Sequence, residues 1–134
     1  MNGLPADVAA IVAHWHRVSP GREALRHGER SWTWAQLAEQ VDRNAAAQVS
    51  AGLRPGDRVA ILDKSSPAHL VTALACLRVG TVLVPVNFRL APGEARYLIN
   101  DAWARLLLVG AEFRHVAHAV KADLTSVKKV VLVS

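Results

Sequence analysis

Cysteine and long apolar runs are scarce in this sequence. The 134 residues include one cysteine, Cys76, so no disulfide can form within the chain, and a reducing compartment fits this composition. The longest apolar runs, such as residues 82–86 and 106–109, have the length of strands and are far too short for a membrane helix. Residues 1–7 lack a basic stretch followed by an apolar core, which predicts no signal peptide. We therefore expect a cytoplasmic protein without a membrane span.

Motifs for phosphate binding, nucleophilic catalysis and metal binding are also missing. The eight glycines are isolated, with neither Gly-x-Gly-x-x-Gly nor a Gly-Lys-Ser/Thr loop. No Gly-x-Ser-x-Gly elbow occurs, and Ser66 before Pro67 is explained as a helix cap. His115 and His118 have a spacing that could chelate a metal, but too few further ligands are near, and we interpret them as solvent-facing. The sequence predicts no catalytic residue and no metal site.

Positive charge is in excess, at +5 with a pI of about 10.1. The excess lies in residues 68–134, which hold eight basic and four acidic groups. Nucleic-acid-binding surfaces cluster Lys and Arg and interleave aromatic residues, whereas here only Lys128 and Lys129 are adjacent and aromatics make up 5%. We interpret the charge mainly as a solvated surface and expect no nucleic-acid partner. A polyanion-binding module stays open as a third hypothesis.

The sequence does contain a regular alternation of short apolar runs with amphipathic segments. With 51% hydrophobic and 20% charged residues, the chain can bury the core of about one domain. Near-continuous apolar runs that alternate with helices are typical of parallel strands covered on both faces. The four runs span residues 58–62, 81–86, 105–109 and 127–133. The pattern predicts an α/β protein with an open, mostly parallel, doubly wound sheet of βα units.

The first part of the chain is predicted to form a helix, a small hairpin and a second helix. Apolar spacing over residues 7–18 indicates an amphipathic helix, and the glycine-bearing segment 27–30 indicates the hairpin turn. Thr33 and Gln36 have the spacing of a capping box, which opens a helix over residues 34–51.

Two short segments carry residues that could contact a ligand. Trp32 and Trp34 lie at the junction of the hairpin and the second helix, and we favour packing of their rings over ligand stacking. Asn87 and Arg89 directly follow an apolar strand, and ligands of open α/β sheets bind beyond the carboxyl ends of strands. An arginine there can bind a phosphate through its guanidinium fork. The alternatives are an ordinary surface arginine or an Asn side chain that only makes a hydrogen bond within the loop.

Several short motifs follow one another from residue 22 to residue 109. In chain order they are Trp32-Thr33-Trp34, Gly52-Leu53, Pro55-Gly56-Asp57-Arg58-Val59, Ser65-Ser66-Pro67, Gly80, Val84-Pro85-Val86-Asn87-Phe88-Arg89-Leu90, Pro92-Gly93-Glu94 and Tyr97-Leu98-Ile99-Asn100-Asp101. Their order and spacing resemble the N-terminal part of the large domain of the adenylate-forming, AMP-binding acyl-CoA synthetases. The resemblance implies that residues 1–134 are an incomplete N-terminal subdomain of that large domain, within a larger two-domain enzyme.

The resemblance implies a two-step reaction for the parent enzyme. A carboxylate and ATP form an acyl-adenylate, and the thiol of coenzyme A then attacks the activated carbonyl. ATP, magnesium and coenzyme A are implied for the parent and none for this stretch, because the family's phosphate loop, adenine-binding residues and C-terminal-domain lysine have no counterpart in the sequence. Arg89 alone matches a position where relatives approach the coenzyme A nucleotide, which makes it a candidate for a coenzyme A phosphate contact.

Two residues depart from what is usual in the family. Gln48 stands where relatives usually carry Leu, on a stripe predicted to face the core, and an unsatisfied buried amide there would cost about 1–3 kcal/mol. Trp103 stands where a small or polar residue is usual, and overpacking would cost about the same, roughly 1–3 kcal/mol. Both departures concern packing and leave the resemblance unchanged.

The leading functional hypothesis is an N-terminal fragment of an ATP-dependent acyl-CoA synthetase. Such a fragment would act as a scaffold, inactive alone, and its partner would be the remainder of the synthetase. The alternative is a non-enzymatic α/β module that binds a partner or self-assembles, because an open sheet exposes an edge strand and apolar area.

Overall fold

The apolar runs pair into a parallel sheet, and the N-terminal β-prone segments form a separate hairpin. The structure, a computed structural model, describes residues 7–133, and the segment on which the signal-peptide prediction depends lies almost wholly outside them. The helices are α1 (Ile11–Val18), α2 (Trp34–Ser50), α3 (Pro67–Val79), α4 (Pro92–Asp101) and α5 (Arg114–Val120). The strands are β1 (Glu23–His27), β2 (Arg30–Thr33), β3 (Arg58–Leu62), β4 (Val82–Val86), β5 (Ala104–Gly110) and β6 (Lys129–Val133).

The four-stranded sheet has the order β4-β3-β5-β6 and is parallel throughout. Ala60 of β3 pairs with Val84 of β4 on one side and with Leu107 of β5 on the other, and Leu107 in turn pairs with Val130. Hairpin strands β1 and β2 pair antiparallel. The predicted α/β class, the parallel sheet and the small hairpin are therefore confirmed.

Helices cover the parallel sheet on both faces, as expected for a doubly wound arrangement. On one face, Ala95 and Ile99 of α4 and Val116 of α5 pack against side chains of β3 and β5. On the other face, Cys76 of α3 packs in a cluster with Val59 and with other side chains of these strands. Successive residues of a strand point to opposite faces, so β3 and β5 contribute to both clusters at once. Helices α1 and α2 form a third cluster with α3.

Side-chain caps fix where the two longest helices begin. The Thr33 hydroxyl accepts a hydrogen bond from the Gln36 N–H, and the Gln36 side chain accepts one from the Thr33 N–H, which confirms the predicted capping box of α2. Ser66 caps α3 by accepting from the His69 N–H, with Pro67 as the first helical residue. Gly80 ends α3 with φ of 88°, a left-handed conformation that favours glycine.

A buried polar network joins α2 to α3 and to the residue before β4. Gln48 is 1% exposed, and its amide nitrogen donates to Asn44 Oδ1 at 2.9 Å while its amide oxygen accepts from the Thr81 hydroxyl at 2.7 Å. Asn44 donates to the Thr72 hydroxyl at 3.1 Å, which extends the network along α3. The Gln48 amide is therefore buried, as the sequence predicts, and its hydrogen bonds offset the cost of removing it from water.

Trp103 overturns the expectation of an overpacked core. Its side chain is 68% exposed, and its backbone has φ of 55°, the left-handed region that is uncommon for residues other than glycine. Arg58 donates from Nε to the Ala102 carbonyl at 2.8 Å and from a terminal nitrogen to the Trp103 carbonyl at 3.3 Å. Trp103 therefore affects the backbone of the turn between α4 and β5, and its exposed ring does not overpack the core.

The two tryptophans at the hairpin junction have different surroundings. The Trp34 ring stacks on Trp15 of α1, with centroids 6.1 Å apart and ring planes 23° apart. The Arg30 guanidinium lies over the Trp32 ring, with its carbon 4.8 Å from the ring centroid. Packing is thus confirmed for Trp34, whose ring joins α2 to α1.

The Gln48 network predicts a loss of stability when its centre becomes apolar. We expect Gln48→Leu to lower the free energy of unfolding by about 1–3 kcal/mol, because the Thr81 hydroxyl and Asn44 lose a buried partner. Urea unfolding followed by circular dichroism measures the change.

Two variants test whether the lost hydrogen bonds are the cause. Val49→Ala, at an exposed position next in the chain, should change stability by less than about 0.5 kcal/mol. Thr81→Val added to Gln48→Leu should recover part of the loss, because both partners of that hydrogen bond are then apolar. A Gln48→Leu variant as stable as the original chain would show that the network contributes nothing.

Candidate functional site

The strand order creates a crevice at the carboxyl edge of the parallel sheet. The connection after β3 leads to β4 on one side, whereas the connection after β5 leads to β6 on the other side. Adjacent strands whose connections diverge in this way define a topological switch point, where ligands of open α/β sheets bind. The segments that follow β3, β4 and β5 therefore form the candidate site.

Asp63 lies where β3 and β5 end, between the two strands. Its carboxylate accepts from the Ser66 hydroxyl at 2.6 Å and from the Lys64 N–H at 2.9 Å. Gly110, the last residue of β5, has no room for a larger side chain, because a Cβ there would lie 2.6 Å from the carboxylate carbon of Asp63. The close approach of these two residues fixes the loop after β3 against the end of β5.

Three exposed charged side chains lie at the site together with one half-buried aromatic ring. Lys64 Nζ donates to Glu112 Oε1 at 2.8 Å, which joins the segments after β3 and β5. The Phe88 ring, after β4, has Lys64 Nζ 5.8 Å and the Arg89 guanidinium carbon 5.2 Å from its centroid. Phe88 also packs on Phe113, with centroids 5.5 Å apart. The ring therefore sets the position of two cations at one edge of the sheet.

This arrangement suits anion binding better than covalent catalysis. Lys64 and Arg89 are exposed cations, and Arg89 has no ionic partner within 4 Å among residues 7–133. The Ser66 hydroxyl donates a hydrogen bond to Asp63 and accepts one from the His69 backbone N–H, so it is engaged as the cap of α3. Within residues 7–133, no group of three His, Cys, Asp or Glu side chains could hold a metal ion.

The structure places Arg89 at this edge together with residues that the sequence did not single out. The Arg89 N–H donates to the Asn87 side-chain oxygen at 3.0 Å, which is the Asn loop bond named as the alternative, and the guanidinium stays exposed. Lys64 and Glu112 were missed as site residues, although each stands within three residues of the end of a predicted strand. Because the order of strands in a sheet is invisible in the sequence, only the structure shows that β3 and β5 are neighbours.

The surroundings of Cys76, His115 and His118 give these residues no role in the candidate site. Cys76 is buried in α3, and burial raises the pKa of its thiol above the ordinary value of 9.0, against the opposing effect of hydrogen bonds with Thr81 and Gln48. A buried, protonated thiol is a weak nucleophile. His115 and His118 lie exposed on α5, in agreement with the interpretation as solvent-facing residues. In the described part of the chain, no helix has both the length and the apolar character needed to cross a membrane.

Comparison with known proteins assigns the chain to a family. The family model described as AMP-binding enzyme matches residues 12–134. The chain is 42% identical over 106 residues to a feruloyl-CoA synthase of an Amycolatopsis species, a match that covers 79% of this chain and 22% of that relative. It is 38% identical over 109 residues to a 3-hydroxybenzoate–CoA ligase of Aromatoleum sp. (strain CIB), covering 81% of this chain and 21% of the relative. The chain belongs to the AMP-binding enzyme family, and the resemblance carried by its motifs is confirmed.

The fold agrees with this assignment and shows how much of a ligase the chain represents. A fatty acyl CoA synthetase of Mycobacterium tuberculosis superposes with a TM-score of 0.87 at 25% identity, over 95% of this chain and 26% of that protein. The chain thus spans about a fifth of the length of the curated relatives that it matches, and its fold corresponds to part of the solved synthetase.

The close packing of Gly110 on Asp63 predicts a steric effect at the site. We expect Gly110→Ala to destabilise the chain by about 1–3 kcal/mol, because the new methyl group must displace the Asp63 carboxylate and with it the loop after β3. Thermal unfolding measures the loss. The control Gly93→Ala, in α4 where a Cβ meets no atom within 4 Å, should leave stability unchanged or raise it slightly. Equal stability of both variants would contradict the close approach.

Proposed function

We propose that the chain forms the first part of an ATP-dependent acyl-CoA synthetase and serves there as a scaffold. Its parallel sheet supports the carboxyl-edge loops, and the remainder of the synthetase supplies the reactive groups. The family match over residues 12–134 carries this proposal. The absence of a Ser/Thr/Gly-rich phosphate loop from the sequence supports the scaffold role. ATP, magnesium and coenzyme A are the cofactors of the complete enzyme under this proposal, and a cytoplasmic location belongs to it as well.

The names of the relatives favour an aromatic acid as the carboxylate substrate. Ferulate and 3-hydroxybenzoate, the acids named in two of the similar ligases, share a phenolic ring and a carboxylate. A fatty acid, named in the structural neighbour, is the second candidate. The chain covers only about a fifth to a quarter of these proteins, so the choice between the two acids must be measured with a complete enzyme.

Arg89 is proposed to contact a phosphate of coenzyme A. Its guanidinium is exposed at the carboxyl edge, next to the switch point where ligands of such sheets bind. The Asn87 side chain holds the backbone of the loop, and the Phe88 ring lies beside the guanidinium carbon. A fork of N–H donors fixed in this way matches the geometry of a phosphate group.

The isolated chain should be inactive. Incubated with ATP, magnesium, coenzyme A and either ferulate or a fatty acid, residues 1–134 are expected to release no pyrophosphate above a protein-free blank. A coupled pyrophosphate assay measures this, with a complete feruloyl-CoA synthase as the positive control. Release of pyrophosphate by the chain would end the scaffold proposal.

A chimeric enzyme tests Arg89. In a feruloyl-CoA synthase whose matching segment is replaced by this chain, Arg89→Ala should raise the KM for coenzyme A about tenfold with little change in kcat, since a charge-assisted hydrogen bond contributes about 1.5 kcal/mol or more. Arg54→Ala, at an exposed position before β3 on the opposite edge of the sheet, is the matched control and should leave the KM unchanged. An Arg89→Ala chimera with an unaltered KM for coenzyme A would remove Arg89 from the binding site.

A self-assembling module is the second candidate function, favoured by the exposed edge strand β6. Leu132 of β6 is 49% exposed, and β6 pairs with another strand, β5, on one side only. Unpaired edges of this kind invite association with another chain. We expect light scattering at high concentration to show a dimer or larger species, and Leu132→Lys to shift it toward monomer. A monomer at every concentration would contradict self-association.

A further inference from the structure

The amino edge of the parallel sheet, opposite the candidate site, gathers basic side chains that are distant in sequence. Arg58 begins β3, Arg105 is the second residue of β5, and Lys128 directly precedes β6, so the parallel arrangement brings them to one edge. Together with Trp103, they line a depression of about 220 Å³. Lys128 also lines a neighbouring depression of about 320 Å³, with Lys121 and Lys129 among its other residues.

Most of this positive charge is not neutralised. Lys121, Lys128 and Lys129 are exposed, and none forms an ion pair within 4.0 Å in the region that the structure describes. Arg105 Nε lies 3.9 Å from an Asp57 oxygen, a loose contact in which half of the Arg105 side chain stays exposed. Arg58 is different, because its guanidinium is engaged by the Ala102, Trp103 and Gly56 carbonyls and therefore acts as a structural clamp.

Trp103 is the unusual residue of this surface. A bulky residue with φ of 55° carries backbone strain, and a glycine would relieve it. The indole gains little burial in return, since 68% of the residue is exposed. The Arg58 clamp holds the strained turn in place. Strain that a surrounding structure maintains is typical of sites that bind or switch.

We propose that this amino-edge surface, formed by Trp103, Arg105, Lys121, Lys128 and Lys129, docks an acidic segment of a partner protein. Trp103 is the apolar anchor, and the exposed cations, of which the three lysines are unpaired among residues 7–133, attract and align the carboxylates of the segment. A single indole favours a protein partner over single-stranded nucleic acid, which stacks successive bases on several aromatic rings. The proposal is independent of the ligase function, because the surface and the carboxyl-edge site lie at opposite ends of the strands.

Binding to a defined acidic peptide tests the proposal. The probe is a fluorescein-labelled 15-residue peptide rich in Asp and Glu with one central Leu, titrated with the 134-residue chain at low salt and followed by fluorescence anisotropy. We expect saturable binding that weakens as salt is added. A 15-nucleotide oligothymidylate and vesicles containing phosphatidylserine are titrated as alternative probes. Tighter binding to either of them than to the peptide, or no binding to the peptide, would overturn the assignment.

Matched variants separate the surface from net charge. The double variant Arg105→Gln with Lys128→Gln should weaken peptide binding at least tenfold. The control Arg26→Gln with Arg43→Gln also removes two positive charges, but from the hairpin and α2. It should change binding less than twofold. If both double variants lose affinity equally, binding reflects net charge and the proposed surface is wrong.

Trp103 offers a second and independent readout. Trp103→Gly should weaken peptide binding at least fivefold while the melting temperature stays the same or rises, because the strain at φ of 55° is relieved. A purely structural tryptophan would instead lower the melting temperature when it is replaced. Unchanged peptide affinity in Trp103→Gly would remove the indole from the docking surface and overturn the proposal.

Discussion

The burial of β3 and β5 on both faces is the constraint on which the rest of the structure depends. Val59, Ala60, Ile61 and Leu107 are fully buried at 0% exposure, because helices cover the sheet above and below and neighbouring strands flank each of the two. Each aliphatic side chain of Val or Leu size buried in this way contributes about 1.5–3 kcal/mol. The backbone groups of both strands are paired on two sides, so their direction and register are fixed. Loops after these strands therefore start from a rigid base.

Hydrophobic pattern and capping residues made most of this fold predictable from the sequence. Near-continuous apolar runs indicate strands covered on both faces, and Thr33 with Gln36 and Ser66 with Pro67 mark helix starts because each supplies a backbone N–H with a partner. The order of strands could not be predicted in the same way. It depends on which helix packs on which face, and this is decided by contacts between residues far apart in the chain.

The two departures at Gln48 and Trp103 show where sequence reasoning reaches its limit. The sequence placed Gln48 on a buried stripe, correctly, but its partner Thr81 lies 33 positions away and becomes a neighbour only after α2 packs on α3. At Trp103 the side chain was expected inside, whereas a turn held by Arg58 points it outward. In both cases a long-range hydrogen bond decides the outcome, and such bonds have no local signature in a sequence.

The candidate site was half predictable for the same reason. Arg89 was found because it follows an apolar strand and matches a family motif, and both signals are local. Lys64 and Glu112 come from loops after two other strands, and their 2.8 Å contact exists only because β3 and β5 are adjacent. Gly110 could not be predicted either, because its small size matters only when the fold brings Asp63 against it.

The parallel sheet also explains why the chain presents two different surfaces. All four strands run the same way, so residues that follow strands collect at one end and residues that precede strands collect at the other. The carboxyl end carries Lys64, Glu112 and Arg89 around the Phe88 ring, where Lys64 pairs with Glu112 and Arg89 has no ionic partner among residues 7–133. At the amino end, Lys128 and Lys129 have no nearby carboxylate partner among residues 7–133. An anion that approaches the amino end therefore meets unpaired cations, whereas one that approaches Lys64 must compete with Glu112.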